Sequence, residues 1–244
     1  MIAVIVPIYN TEKYLRETID SVICQTLSFA EHIRLILLDD ASTDGSFAIC
    51  EQYQKQYPKQ ILVKHYDTNQ GVSVLRNEGV RIAGEMGDEL ITFLDSDDKL
   101  ADDAMEKAKM YFESHEDISV AAIAVKYFGT RDGEQRLNWR FQEMDVVDIK
   151  KQYTFPHYYV GGVFLRKRVL NELHFDETMN FWEDALAINQ VIVSEGKYGL
   201  IQDTFYFYRK REDESSLVDT AWHKKERYTT VSYTHLTLPT ILLV

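Results

Sequence analysis

Apolar residues fall into two alternating rhythms along the first hundred positions of the chain. Ile2-Ala3-Val4-Ile5-Val6-Pro7-Ile8 runs without a polar break, which predicts a strand covered on both faces. Pro7 is expected to close it, because proline donates nothing to a ladder. Ile33–Leu38, Ile61–His65 and Glu89–Leu94 predict three more strands. Between them the period changes to that of a helix. Tyr14, Leu15, Thr18, Ile19, Val22 and Ile23 recur at helical spacing after Thr11, a residue suited to an N-cap. Further helices are predicted from Ser46 to Tyr57 and from Val72 to Ala83, the second punctuated by Gly84 and Gly87. Strand–helix alternation with short connections, repeated four times, predicts an α/β fold with a mostly parallel central sheet flanked by helices.

The second half is less regular. Met105, Ala108, Tyr111 and Phe112 mark one face of a helix over Ala104–His115, and Ser119–Phe128 reads as a strand. Thr130–Asp148 is polar and irregular, the pattern of a mobile loop. Tyr158–Leu165 reads as a strand containing Gly161-Gly162. Paired glycines there suit close approach by a ligand or a second backbone, or a bulge. Phe181-Trp182-Glu183-Asp184 opens a helix, and Tyr198–Ile201 and Thr204–Tyr208 read as two short strands. They lead into Arg209-Lys210-Arg211, the densest basic cluster in the chain.

Composition narrows the class. The 244 residues are 45% hydrophobic, ample for a packed core. A net charge of -12 argues against nucleic acid or an anionic membrane as a general partner. An anionic substrate would then need a metal or a local basic pocket. Cys24 and Cys50 both fall in predicted helices, without metal spacing, as small core residues of a reducing, cytoplasmic setting. The chain enters a strand at once, so no signal peptide is expected, and no apolar run is long enough to span a membrane.

The candidate chemistry sits where the predicted strands end. Asp95-Ser96-Asp97-Asp98 puts three carboxylates within four residues, and Asp39-Asp40 ends another strand. In an open parallel sheet these ends share one rim with Pro7-Ile8-Tyr9-Asn10. Carboxylates this close repel, and a cation among them relieves the repulsion. The bland alternative is a solvated, acidic helix N-terminus.

Five blocks, in order, resemble family 2 glycosyltransferases. They are Val4-Ile5-Val6-Pro7-Ile8-Tyr9-Asn10, Leu37-Leu38-Asp39-Asp40-Ala41-Ser42-Thr43-Asp44-Gly45, Gly71-Val72-Ser73-Val74-Leu75-Arg76-Asn77-Glu78-Gly79, Phe93-Leu94-Asp95-Ser96-Asp97-Asp98 and Trp182-Glu183-Asp184. The resemblance covers about residues 1 to 215 and rests on the order of the blocks, since one Asp-x-Asp arises often by chance. It implies a GT-A (Rossmann-like) fold, with a nucleotide-sugar-binding half over 1–100 and a smaller acceptor-side half over 101–230. It implies a metal-dependent, inverting transfer of a sugar from a nucleotide-diphosphate donor, a UDP-sugar being usual, to a hydroxyl acceptor. The setting would be surface polysaccharide synthesis in the cytoplasm or at the inner membrane face.

The resemblance also assigns roles. Pro7, Tyr9 and Asn10 would line the nucleotide, with Asp40 accepting from the base and Asp39 able to serve nearby. Arg76 would face the acids or the phosphates, and Asp95, with Ser96, the ribose. Asp97 would hold Mg2+ or Mn2+, hard ions suited to oxygen ligands. Asp98 could assist it or cap the next helix. Asp184 would be the base, beside Glu183, while Gly161, Gly162, Arg209 and Lys210 are candidates for phosphate or acceptor contacts. The acceptor would be a glycan or lipid-linked molecule, nucleic acid is not a partner, and a missing C-terminal region could bring peripheral membrane contact. Three features depart from the family pattern. Gln70-Gly71 replaces a double glycine, Leu75 replaces a small residue, and no His follows the last strands before His223. A metal histidine is therefore unassigned. Two other readings remain open here, a catalytically silent sugar-nucleotide-binding domain and a nucleotidyltransferase. The second lacks its expected glycine-rich basic loop after the first strand.

The segment Val231–Thr240 is similar to the translation of a transposase-adapter sequence, since GTC TCT TAT ACA CAT CTG ACG CTG CCG ACG encodes it. A non-native tail over 231–244, with the native frame interrupted near Thr230, is therefore expected.

Overall fold

A computed structural model of the chain describes residues 1–152, 157, 159–179 and 181–211. The expected strand start at Tyr158, the segment bearing His223 and the 231–244 tail lie outside these residues. In chain order the elements are β1 (Ile2–Ile8), α1 (Glu12–Ile23), α2 (Phe29–His32), β2 (Ile33–Asp39), α3 (Ser46–Gln56), β3 (Ile61–His65), α4 (Val72–Met86), β4 (Leu90–Phe93) and β5 (Lys99–Leu100). They continue with α5 (Ala104–Ser114), β6 (Val120–Gly129), β7 (Gly133–Glu134), α6 (Arg140–Glu143), β8 (Val146–Asp148), β9 (Val163–Arg166), α7 (Glu183–Glu195) and β10 (Lys197–Lys210).

One sheet runs through both halves in the order β3-β2-β1-β4-β9-β6-β10-β5, with β7 beside β6 and β8 beside β10. β3, β2, β1 and β4 are mutually parallel. β9 is antiparallel to β4 and β6, and β10 runs parallel to β6. The uninterrupted apolar strands now have a cause. Ile2, Val4, Val6 and Ile8 face one core, with α1, α3 and α5, while Ala3 and Ile5 face a second core on the other side of the sheet, with α4 and α7. Each residue of β1 is buried because each face has a helical layer. Gly79, in mid-helix, lets α4 settle on Ile5, since a Cβ there would overlap the Ile5 side chain.

Several local expectations are corrected. Pro7 does not end β1, which continues to Ile8; β4 pairs with it only as far as Ile5, so no neighbour on that side needs a donor from Pro7. Thr11 stands at the N-cap of α1 but its side chain does not cap, and the helix's first turn instead gives the Glu12 N–H to Asp44. Helix α4 runs through Gly84 to Met86 and ends at Gly87 in the left-handed conformation. Cys24 follows α1 and is exposed, whereas Cys50 is buried. The polar stretch 130–148 is not a loose loop. It carries β7, α6 and β8, buries Phe141 and Val147, and sets the Arg140 guanidinium 2.6 Å from the Tyr198 hydroxyl. The two short strands expected near the end are one strand, β10, whose register slips between Ile201 and Phe205 with Asp203 at φ 57°. That bulge hides the continuity by inserting polar residues into the apolar run.

Candidate active site

The acidic turn after β4 is held from below by groups far away in sequence. Thr18 Oγ1, on α1, lies 3.0 Å from the Ser96 carbonyl and 2.8 Å from that of Asp98. The Tyr206 hydroxyl donates to Asp98 Oδ2 at 2.7 Å and accepts the Asp95 N–H at 3.2 Å. The Arg209 N–H donates to Asp98 Oδ1 at 2.7 Å. Asp98 is 1% exposed. Burial first, and then the charges of Asp97 and Asp95, push its carboxyl well above the usual range. Its oxygens brace the turn.

Tyr206 reaches this turn because Gly161 has no side chain; a Cβ there would overlap the Tyr206 ring, and one on Gly162 (φ 73°) would crowd Ile123 and Tyr206. The approach that the paired glycines signal is thus that of an aromatic side chain. Substituting Gly161→Ala is expected to cost about 1–3 kcal/mol by overpacking. A thermal melt should show the loss, and Tyr206→Phe, which keeps the packing but not the hydroxyl, should lose less.

Asp95 and Asp97 each pair with an arginine. Arg76, on α4 and 5% exposed, joins two parts of the site. Its Nη2 lies 3.2 Å from Asp95 Oδ1, its Nη1 lies 2.9 Å from Glu183 Oε1, and its guanidinium packs 5.5 Å from the Phe175 ring centroid. Glu183 and Asp184 form the first turn of α7, entered through Trp182 in the left-handed conformation (φ 67°). Asp184 Oδ1 accepts the Ala185 N–H at 2.7 Å. Burial, then the neighbouring charge of Glu183, raises the Asp184 carboxyl to about 7, against the pull of Arg76. A carboxylate tuned to that range can take a proton near neutral pH.

The two acids at the end of β2 point to different neighbours. Asp39 turns to β3, with Oδ2 2.7 Å from His65 Nδ1 and accepting the Ser42 N–H at 3.2 Å. Asp40 accepts the N–H groups of Gln70 (2.6 Å) and Gly71 (2.9 Å), fixing the entry to α4. Tyr9 is half exposed at the end of β1, and Asn10, at φ 51°, ties its loop to Ser42 and Thr43.

The basic cluster divides by strand alternation, which sends successive side chains to opposite faces. Arg209 is fully engaged inside the protein: its Nε donates to the Asp97 carbonyl at 2.6 Å, its guanidinium pairs with Glu17, and it lies between the rings of Tyr14 (4.8 Å) and Phe128 (4.3 Å). Lys210 turns the other way, onto Tyr127 and Tyr208. Arg211, the member of the basic cluster given no role by the sequence, sets its Nε 2.7 Å from Asp97 Oδ2. Period-two counting from Arg209 would have found it.

The site can be tested for the fit of a divalent ion. Burial raises the Asp97 carboxyl and Arg211 pulls it back, so this oxygen already has a cation beside it. Carboxylate oxygen suits Mg2+ or Mn2+. Among the described residues no three His, Cys, Asp or Glu side chains converge on one point, so phosphate oxygens and water would complete the shell. The donor set fits such an ion when a diphosphate comes with it.

The family model for glycosyl transferase family 2 matches residues 3–174. The chain is 41% identical over 231 residues to the minor teichoic acid biosynthesis protein GgaA of Bacillus subtilis, covering 94% of this chain and 51% of that one. It is 39% identical over 223 residues to GgaB of the same organism, covering 90% and 24%. The crystal structure of Staphylococcus aureus TarS 1-349 in complex with UDP-GlcNAc superposes with a TM-score of 0.75 at 25% identity, covering 86% of this chain and 59% of that one. TarS is named a poly(ribitol-phosphate) beta-N-acetylglucosaminyltransferase, and is 27% identical over 215 residues, 87% of this chain and 36% of its own. The chain thus spans about half of GgaA and a smaller part of GgaB.

Proposed function

Because the chain belongs to glycosyltransferase family 2, we propose that it moves a hexose-type sugar from a UDP-sugar to a hydroxyl of a cell-wall polymer, a polyol-phosphate chain being the acceptor class. One observation carries the reading. The guanidinium of Arg76 bridges Asp95, at the end of β4, to Glu183, beside the raised carboxylate of Asp184. A donor-side acid and the neighbour of a base of suitable pKa therefore meet on one side chain, near the carboxyl ends of the strands where ligands bind. The names of GgaA, GgaB and TarS support the acceptor class.

In this reading Tyr9 stacks on the nucleoside, and Asp40 accepts from the base. Asp39 is the less suitable of the pair, since it turns toward β3. Asp95 accepts from the ribose hydroxyls and Asp97 holds the metal. A bound Mg2+ or Mn2+ supplies charge stabilisation for the departing diphosphate. Asp184 takes the proton of the acceptor hydroxyl as that oxygen attacks the anomeric carbon. One base acting opposite the leaving group gives one displacement, with inversion. Arg209 positions the Asp97 turn, and the gap at Gly161 lets Tyr206 do the same.

The test is UDP release from a panel of UDP-sugars with ribitol- or glycerol-phosphate oligomers as acceptors. Release is expected with Mn2+ or Mg2+ and is lost on chelation. A chain that neither binds a UDP-sugar nor releases UDP under any of these conditions would refute the proposal.

A further inference from the structure

We propose that Arg211 is the resident counter-cation of Asp97, holding that carboxylate until the metal arrives and then moving onto the diphosphate. This rests on the reading of Asp97 as the metal's ligand. The Nε–Oδ2 contact is 2.7 Å, and the two side chains are 17% and 16% exposed. A carboxylate this sheltered, with Asp95 and Asp98 in the same turn, needs a positive neighbour. A guanidinium and a divalent cation cannot share one carboxylate oxygen, because they repel at contact. An ion that takes Oδ2 therefore displaces Arg211.

Arg209 is not the arginine that moves. Arg209 is tied by backbone and side chain to Asp98, Asp97, Glu17 and two aromatic rings. Arg211 lies past the end of β10, on the same side, over Tyr14 at 5.3 Å. A displaced guanidinium next to a diphosphate has two phosphates to fork onto, a geometry that arginine satisfies better than lysine. The exchange couples two ligands. The ion alone must pay for eviction, while the ion with a nucleotide gives Arg211 a new partner, so the site favours the pair over the bare metal.

The experiment measures Mn2+ binding to the full chain by electron paramagnetic resonance, and UDP binding by calorimetry at saturating Mn2+. Arg211→Gln should bind Mn2+ alone about fivefold more tightly, as removal of a competing ion pair allows. The same variant should bind UDP about tenfold more weakly, through loss of one charge-assisted phosphate contact. Arg211→Lys keeps the charge and should bind Mn2+ within about twofold of the wild type. Unchanged or weaker Mn2+ binding in Arg211→Gln, or an Arg211→Lys that behaves like it, would overturn the exchange. Asp97→Asn separates this from the underlying reading: it should abolish Mn2+ binding, and a variant that still binds Mn2+ normally refutes Asp97 as ligand.

Discussion

Asp184→Asn is expected to lower sugar transfer about 10³-fold, the scale of a lost general base, while UDP binding with Mn2+ stays within about twofold of the wild type. The split follows from geometry. Asp184 belongs to the α7 turn beside Glu183, whereas the groups assigned to the nucleotide are on the β1, β2 and β4 ends. In the unaltered protein kcat/KM should rise tenfold per pH unit up to about 7 and then level, since the carboxylate must be ionised to act and its carboxyl is raised to about 7. Stability moves the opposite way. Folding raises this carboxyl above its unfolded value, so the folded chain holds the proton more tightly. The stabilisation is complete below the unfolded pKa of about 4 and is lost as pH rises through about 7. Asparagine has no charge to bury. At pH 8 the variant should therefore melt at a higher temperature than the parent while turning over far more slowly. Unchanged activity in Asp184→Asn removes it as the base.

Arg76→Ala should have the largest effect on folding. It removes a 5%-exposed guanidinium and leaves Glu183, 9% exposed, and Asp95 without their shared partner. Breaking a buried pair from one side costs about 3–5 kcal/mol, because the abandoned charge stays buried. Urea denaturation of Arg76→Ala, Glu183→Gln and the double variant measures the coupling directly. The double variant should be more stable than Arg76→Ala alone, since one stranded charge has been removed. Strict additivity of the two effects would mean that the bridge contributes nothing.

The centre of the sheet was legible because β1 is apolar at every residue and β2 and β4 nearly so, as a two-sided helical cover requires. The ends of β2 and β4 were legible as well, since Asp-Asp and Asp-Ser-Asp-Asp interrupt those runs sharply. Division of labour within the turn was not. Nothing in the local sequence shows that Asp98, rather than Asp97 just before it, braces Tyr206 and the Arg209 amide. The partners come from residues more than 100 positions away, and local propensity carries no such information. The stretch 130–148 failed for a related reason. Its helix and strands are only two to four residues long, too short to establish a period, and the burial of Phe141 and Val147 is decided by the surface they meet.

The anchors of the acidic turn have one more consequence, for synthesis on the ribosome. Thr18 emerges early, but Tyr206 and Arg209 are translated more than 100 residues after the turn they hold. Strand β5, just beyond that turn, pairs only with β10 among the described strands. A nascent chain halted after β9 can complete the β3-β2-β1-β4 portion, yet of these anchors only Thr18 then holds Asp95–Asp98. The turn that carries Asp95 and Asp97 is therefore completed only when β10 docks, a late step in the making of the chain.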